Sequence, residues 1–238
     1  MNMFIPSLHH HLRSMRGKPK GANGDASHKS TRGPKRYERM DVVPLPPPTP
    51  LNMSLAEALS QRQTQRTWSV EKITLADIAS LFFHGAHKNR PHRRPYPSCD
   101  GLYPVEIYLV TFLAETCERS VLHYEPDTHI LRRLWEVPPA VHADTLIKIE
   151  KNGTAPSALI VLTAVWERNE HTYNRFAYVL ALLEAGHLSQ NLCLCAEALS
   201  LGICPFGGFN DEKIAELLDL DHRYEQPLHV LALGKTKT

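Results

Sequence analysis

Residues 173–200 read YNRFAYVLALLEAGHLSQNLCLCAEALS and run into Leu201-Gly-Ile-Cys-Pro-Phe-Gly-Gly-Phe209. Apolar residues go most of the way round this helical pattern instead of marking one stripe, which predicts a helix from Tyr173 to Ser200 buried on most sides and closed by Gly202. Glu184, His187, Gln190, Asn191 and Glu197 interrupt it at a density that a membrane span rarely tolerates, so it reads as the central helix of a globular core. Leu183-Glu-Ala-Gly-His187 sets a carboxylate and a glycine inside that helix. Gly costs about 1 kcal/mol against Ala there, and a buried Glu costs more unless it is paired. Close approach of a cofactor or partner helix explains Gly186, and a tight helix crossing explains it equally well.

Working outward, Ser54 and Thr74 each precede a helical stripe, and Asp211-Glu-Lys-Ile-Ala-Glu-Leu-Leu is a short capped helix. Val105 to Phe112 is β-branched and aromatic, and Val121 to Leu134 is a hairpin turning at Glu125-Pro126-Asp127. Ala158 to Val165 is continuously apolar and predicts a fully buried strand, with Leu228 to Gly234 the last strand. The order α-α-β-β-β-α-α-β predicts an α+β domain built on a mixed central sheet flanked by helices.

A chain of 238 residues that is 42% hydrophobic has material for one folded domain with appendages. The formal charge of +2 conceals an asymmetry. Residues 1–40 hold nine Lys/Arg against Asp25 and Glu38, a charge of +7 that leaves −5 for the remainder. Such a basic, hydrophobe-poor stretch predicts a disordered arm over residues 1–43 and not a nucleic-acid-binding domain. Val43-Pro-Leu-Pro-Pro-Pro-Thr-Pro50 favours extended polyproline backbone, so 44–53 reads as a linker and 54–238 as the domain. Five Cys without CxxC spacing argue for a reducing, cytoplasmic setting, and the first dozen residues lack the pattern of a secretory signal.

Three further segments carry chemistry. Arg62-Gln-Thr-Gln-Arg66 puts two guanidiniums about a hydroxyl, a grouping suited to phosphate, though a solvated helix end gives the same pattern. Pro97-Ser-Cys-Asp-Gly-Leu-Tyr-Pro104 is a rigid turn ahead of a strand. Gly207 and Gly208 let backbone amides approach a ligand. His84, His87 and His92, with the run His9 to His11, lack the carboxylate or Cys that would complete a metal set, so no metal is expected. Cys193 and Cys195 read as core.

In this order and at these separations, the segments resemble the nitroreductase superfamily, and within it the azoline dehydrogenases of the streptolysin and microcin type. The matching elements are Arg62-x-Thr-x-Arg66, Pro97-Ser-x-x-x-Leu-Tyr-Pro104, the hairpin with His123-Tyr-Glu-Pro126, Glu184-Ala-Gly-His-x-x-Gln-Asn191, and Pro205-Phe-Gly-Gly-Phe209. The resemblance implies an FMN enzyme that is a homodimer with its flavins at the interface and the long helix at its centre. It further implies that Arg62, Thr64 and Arg66 hold the FMN phosphate and the polar edge of the ring. Pro97, Ser98 and Cys99 would line the flavin from the opposite subunit, Glu184 and Gly186 would sit by its reactive nitrogen, Gly207 and Gly208 beneath it, and Lys235 near the phosphate.

The implied reaction oxidises azoline rings of a ribosomally made precursor peptide, in company with a cyclodehydratase. In that branch it is associated with a Lys-Tyr pair before the central helix. Here the pair is Thr172-Tyr173, and Asp100 stands where the family favours Gly. Tyr173, with a free pKa near 10, is a poor base near pH 7 unless a cation such as His171 or Arg175 lowers it. Two other readings stand beside this one: an NAD(P)H-dependent nitro- or ene-reductase, and a catalytically degenerate scaffold subunit.

Overall fold

A computed structural model of the chain describes residues 33–91, 93–149 and 153–237. Seven strands form one sheet: β1 (Asp41–Pro44), β2 (Val105–Thr111), β3 (Ser120–Glu125), β4 (Ile130–Glu136), β5 (Ala158–Val165), β6 (Leu201–Phe206) and β7 (Glu225–Lys235). Their spatial order is β1-β4-β3-β2-β5-β7-β6. Six α-helices accompany them: α1 (Leu55–Gln61), α2 (Leu75–Ala86), α3 (Ala143–Leu146), α4 (Glu170–Tyr173), α5 (Phe176–Ala198) and α6 (Asp211–Leu217). The α+β class and the long helix are as expected. Every ladder in the sheet is antiparallel, and the parallel pairing of the expected mixed sheet is limited to an isolated bridge, Ile73 to Ala114.

Antiparallel strands with one wet face alternate apolar and polar residues, yet β2, β5 and the end of β7 are apolar at nearly every position because both faces are covered. Ile107, Leu109, Ile160, Leu162, Leu231 and Leu233 point to one side, where Ile78, Leu81 and Phe82 of α2 and Leu188 and Leu192 of α5 meet them. Their neighbours Tyr108, Val110, Leu159, Val161, Val230 and Ala232 point to the other, against Trp68, Leu146 of α3, and Ile214 and Leu217 of α6. The sheet is thus the middle of three layers.

Local chemistry fixes the helix ends as the sequence implies. Ser54 and Thr74 close capping boxes with Glu57 and Asp77, and the Asn210 side chain caps α6. The long helix starts three residues later than expected, at Phe176, because Asn174 (φ 49°) breaks the chain between α4 and α5.

The expected boundaries at 43/44 and 53/54 do not divide arm from fold. Strand β1 pairs with β4 from Asp41 opposite Arg133 to Pro44 opposite Ile130. Ahead of it, Lys35 Nζ donates to Glu225 Oε2 and to Tyr108 Oη, both at 2.6 Å. Within the proline stretch, Thr49 N–H donates to Ser80 Oγ at 2.9 Å. The physical reason is that Glu225 and Tyr108 are buried polar groups that need Lys35, and edge position lets β1 end in proline. The rest of the basic arm, residues 1–32, lies outside the described residues.

Candidate active site

The turn before β2 carries three left-handed residues, Asp100 (φ 50°), Gly101 (φ 66°) and Tyr103 (φ 47°). It is closed by Tyr103 N–H donating to Ser98 Oγ at 2.9 Å, and Arg168 Nη1 fastens it from behind to the Tyr103 carbonyl at 2.8 Å. Arg168 is itself buried and paired with Glu106, which also holds His123 at 2.7 Å. A charge in the middle of an apolar strand demands such partners. They hold the Glu106 carboxyl well below the usual range, the Arg168 guanidinium and the His123 hydrogen bond outweighing the burial that would raise it.

Glu184 of α5 meets the turn from the helix side. It is 2% exposed, accepts Val105 N–H at 3.3 Å and bonds the Ser98 side chain. Burial dominates, and despite these bonds and the nearby Arg94 and Arg168 it pushes the carboxyl up to about 7. The group is poised to take or give a proton near neutrality.

Tyr173, at the end of α4, donates its phenol proton to Asp100 and lies against the Cys99 thiol. Burial and these two acidic neighbours hold the phenol well above its ordinary value. A carboxylate therefore stands where a cation was expected: the main influences on the phenol are burial, Asp100 and Cys99, and His171 and Arg175 are both exposed. Thr172 is exposed, with its N–H on the Asn169 carbonyl.

A cavity of about 560 Å³ opens over this turn, lined by Arg94, Tyr96, Pro97, Ser98, Asp100 and Tyr103 among others. Arg94 stacks over the Tyr103 ring at 4.4 Å and donates to Tyr96 Oη at 3.0 Å. Arg94 carries no distinguishing sequence signal, being one of four Lys/Arg between His84 and Pro97. Arg168 carries none of its own either, although Glu106 inside an apolar strand was a signal that a buried cation must exist.

The remaining predicted residues gather elsewhere. Arg62 is the C-cap of α1, and the extended segment after it lies along β6, with Gln65 N–H on the Ile203 carbonyl at 3.0 Å. Trp68 ends that segment and donates Nε1–H to the Gly202 carbonyl at 3.0 Å. Thr64 is half-buried and Arg66 exposed. Among the described residues, Arg62 and Arg66 form no ion pair.

Gly207 and Gly208, past the far end of β6, are exposed, and a Cβ on either would meet nothing within 4 Å; Gly186 is the same. Lys235 does not offer the free charge expected of a phosphate ligand. Its Nζ is 2.8 Å from Asp77 Oδ2, because the N-terminal carboxylate of α2 stands at the end of β7.

Thus Ser98, Cys99, Asp100, Tyr173 and Glu184 form one cluster. Arg62 belongs to another: it faces Cys193, nine residues beyond Glu184 on α5 and so about 13 Å along its axis. Of the histidines, His84 bonds the Thr49 carbonyl at 2.9 Å and His87 the Pro126 carbonyl at 2.7 Å, while His9 to His11 and His92 lie outside the described residues. Cys193 and Cys195 are buried, as expected.

Comparison with known proteins bears on this arrangement. Residues 59–235 match the nitroreductase family. A protein of Methanocaldococcus jannaschii assigned as a nitroreductase is 26% identical over 198 residues, which cover 82% of this chain and 98% of that protein. The microcin B17-processing protein McbC of Escherichia coli is 30% identical over 175 residues, 68% of this chain and 62% of McbC, so the match spans about six tenths of McbC. Among solved structures, the E. coli microcin synthetase McbBCD complex with truncated pro-MccB17 bound contains a chain that superposes with a TM-score of 0.69. It is 23% identical, and the alignment covers 98% of this chain and 92% of that one, a likeness of fold.

Proposed function

We propose, from the premise that this chain belongs to the nitroreductase family, that it is an FMN-dependent dehydrogenase oxidising azoline rings in a ribosomally made peptide. The residues fit the cofactor. Arg62 and Arg66 are unneutralised cations flanking Thr64 and suit its phosphate and polar edge, and Gly207, Gly208 and Gly186 leave open the volume a Cβ would take. Pro97, Ser98 and Cys99 would reach the flavin of the opposite subunit. Lys235, held by Asp77, adds no free charge. FMN, when bound, supplies a hydride acceptor.

The observation that carries the dehydrogenase reading is the Tyr173 hydroxyl set on the Ser98–Asp100 turn beside the buried Glu184. Taking hydride from a nicotinamide needs no proton acceptor, whereas turning an azoline into an azole removes a hydride and a proton from neighbouring carbons. The likeness to the microcin B17-processing protein supports the same substrate class.

By this reading the protein works as a homodimer beside a cyclodehydratase, on a precursor peptide, in the cytoplasm, where its five cysteine thiols stay reduced. The exposed apolar face of α5, with Tyr178, Leu182 and Leu183, would be the subunit contact.

Reconstitution tests this directly. Protein loaded with FMN should absorb near ~450 nm and remove about 2 Da, two hydrogens, from a thiazoline-containing precursor. Protein that stays colourless sinks the flavin site and leaves a scaffold role. The M. jannaschii relative, matched over 98% of its length, favours a second reading as an NAD(P)H-dependent nitroreductase. Nicotinamide-driven turnover of a nitroaromatic with the thiazoline untouched would establish that reading instead.

A further inference from the structure

We propose that Asp100 is the proton-accepting partner of Tyr173, the two acting as one dyad in the dehydrogenation. This rests on the azoline reading above.

Three observations carry it. Tyr173 Oη donates to the Asp100 carboxylate although 73 residues separate them in the chain. Asp100 is held there by a left-handed backbone (φ 50°), which non-glycine residues seldom adopt, inside a turn locked by the Ser98–Tyr103 and Arg168–Tyr103 hydrogen bonds. Asp100 lines the cavity that carries Ser98, and Tyr173 reaches that lining through its bond to Asp100. The residue before Tyr173 is Thr172, whose hydroxyl does not titrate, so it leaves Tyr173 without a neighbouring base in sequence; the fold supplies one in space.

The groups facing Tyr173 are few. Asp100 and Cys99 come from the turn, and Glu184 meets the same turn through Ser98. The phenol is held above its ordinary value by burial and by its acidic neighbours, so near neutral pH it is a neutral hydroxyl that can pass a proton but not an ionised base. A relay uses that state. One ring C–H of the azoline breaks with its electron pair leaving as hydride to FMN, the oxidant. The neighbouring C–H breaks with its pair staying behind as the new ring double bond, its proton going to Tyr173 Oη while the phenol's own proton goes to Asp100. Asp100, now a carboxylic acid, returns that proton to water. Tyr173 would touch substrate; Asp100 acts through it and is a positioning and proton-accepting residue.

The test uses full-length protein, FMN and a synthetic thiazoline-containing peptide. Asp100→Asn and Tyr173→Phe should each lower kcat about 100-fold with KM within about threefold, and the double variant should be no slower than either, as expected of groups acting as a unit. Asp100→Glu should recover part of the rate, and FMN uptake, read by absorbance, should match wild type in all four. Independently of turnover, flavin-free Asp100→Asn should show one phenol ionising at lower pH than in wild type, a change missing from Asp100→Asn/Tyr173→Phe. Wild-type kcat in Asp100→Asn, losses that multiply in the double variant, or an unshifted phenol titration would overturn the dyad alone. If wild type takes up FMN and leaves the probe unchanged, the azoline reading falls and the dyad's role with it.

Discussion

Glycines at two ends of β6 and β7 do opposite jobs. A Cβ on Gly234 would lie 2.9 Å from Trp68 Cδ1 and 3.1 Å from Ser157 Oγ, and one on Gly202 3.1 Å from the same indole carbon. Trp68 cannot yield, being 1% exposed and tied to the Gly202 carbonyl. Gly234→Ala should therefore cost about 1–3 kcal/mol by overpacking, read as a lower urea midpoint. Gly207→Ala meets nothing and should change stability by under about 0.5 kcal/mol while weakening FMN binding about tenfold, read by flavin titration. Glu184 adds a pH test. Its native carboxyl sits at about 7 against an ordinary 4.5, so between those values the folded state holds more proton than the unfolded one. Glu184's own contribution to the stability of the flavin-free protein therefore falls as pH rises from about 4.5 to about 7 and levels off above, by on the order of 3 kcal/mol, while His129, held down to about 4 by burial, contributes in the opposite sense. Urea midpoints at pH 5 and pH 8 should show Glu184→Gln gaining on wild type at the higher pH; parallel changes would refute this account of the site. The cost of Glu184 was legible in the sequence as a carboxylate inside an apolar helix. Its partner Ser98 and the Asp100–Tyr173 contact were not, because they depend on how a turn and a helix end meet across 70 to 90 residues of chain.

At the scale of elements, those with local signals were readable: the caps of α1 and α2, the β3–β4 turn, and β5 to the residue. Strands β1 and β6 were not. Both sit at the edges of the sheet, where Pro44 and Pro205 cost no ladder bond, so residues that read as strap and loop are in fact paired. Gly202 and Cys204 weakened the strand signal of β6 further, although Gly202 is there to seat Trp68. The segment before β1 is held in large part by a half-buried cation. Lys35 meets Glu225, which is 5% exposed and also bound by Tyr108 at 3.0 Å and Thr163 at 2.6 Å. Lys35→Met would leave that carboxylate with hydroxyl donors only, a loss of about 2 kcal/mol and a thermal midpoint lower by about 6 °C. A scanning calorimetry trace unchanged from wild type would show that the segment is held by Tyr37 and β1 alone.

At the scale of the molecule, the candidate site residues fall into two clusters. Arg62, Thr64 and Arg66 lie by β6, and Ser98, Asp100 and Tyr173 lie about 13 Å away along α5 beside Glu184. N-terminal to Glu184, α5 exposes an apolar face: Leu183 is 53% exposed and Tyr178 51%, which is unusual for a helix that packs its other side into the core. If two copies join there, each flavin draws its phosphate ligands from one subunit and its Ser98 turn from the other. That arrangement makes inactive variants rescue each other. Arg62→Ala/Arg66→Ala and Tyr173→Phe, each slowed about 100-fold or more alone, should form mixed dimers after refolding together, and every mixed dimer then holds one site with both halves intact and one with both damaged. With equal amounts and random pairing, half the dimers are mixed and half their sites are whole, so about a quarter of wild-type activity should return. Leu183→Glu, placed in either partner, should prevent both the dimer, read by light scattering, and the rescue. Mixed dimers without recovered activity would mean that each site is built within one subunit, and the exposed face of α5 would then serve another partner.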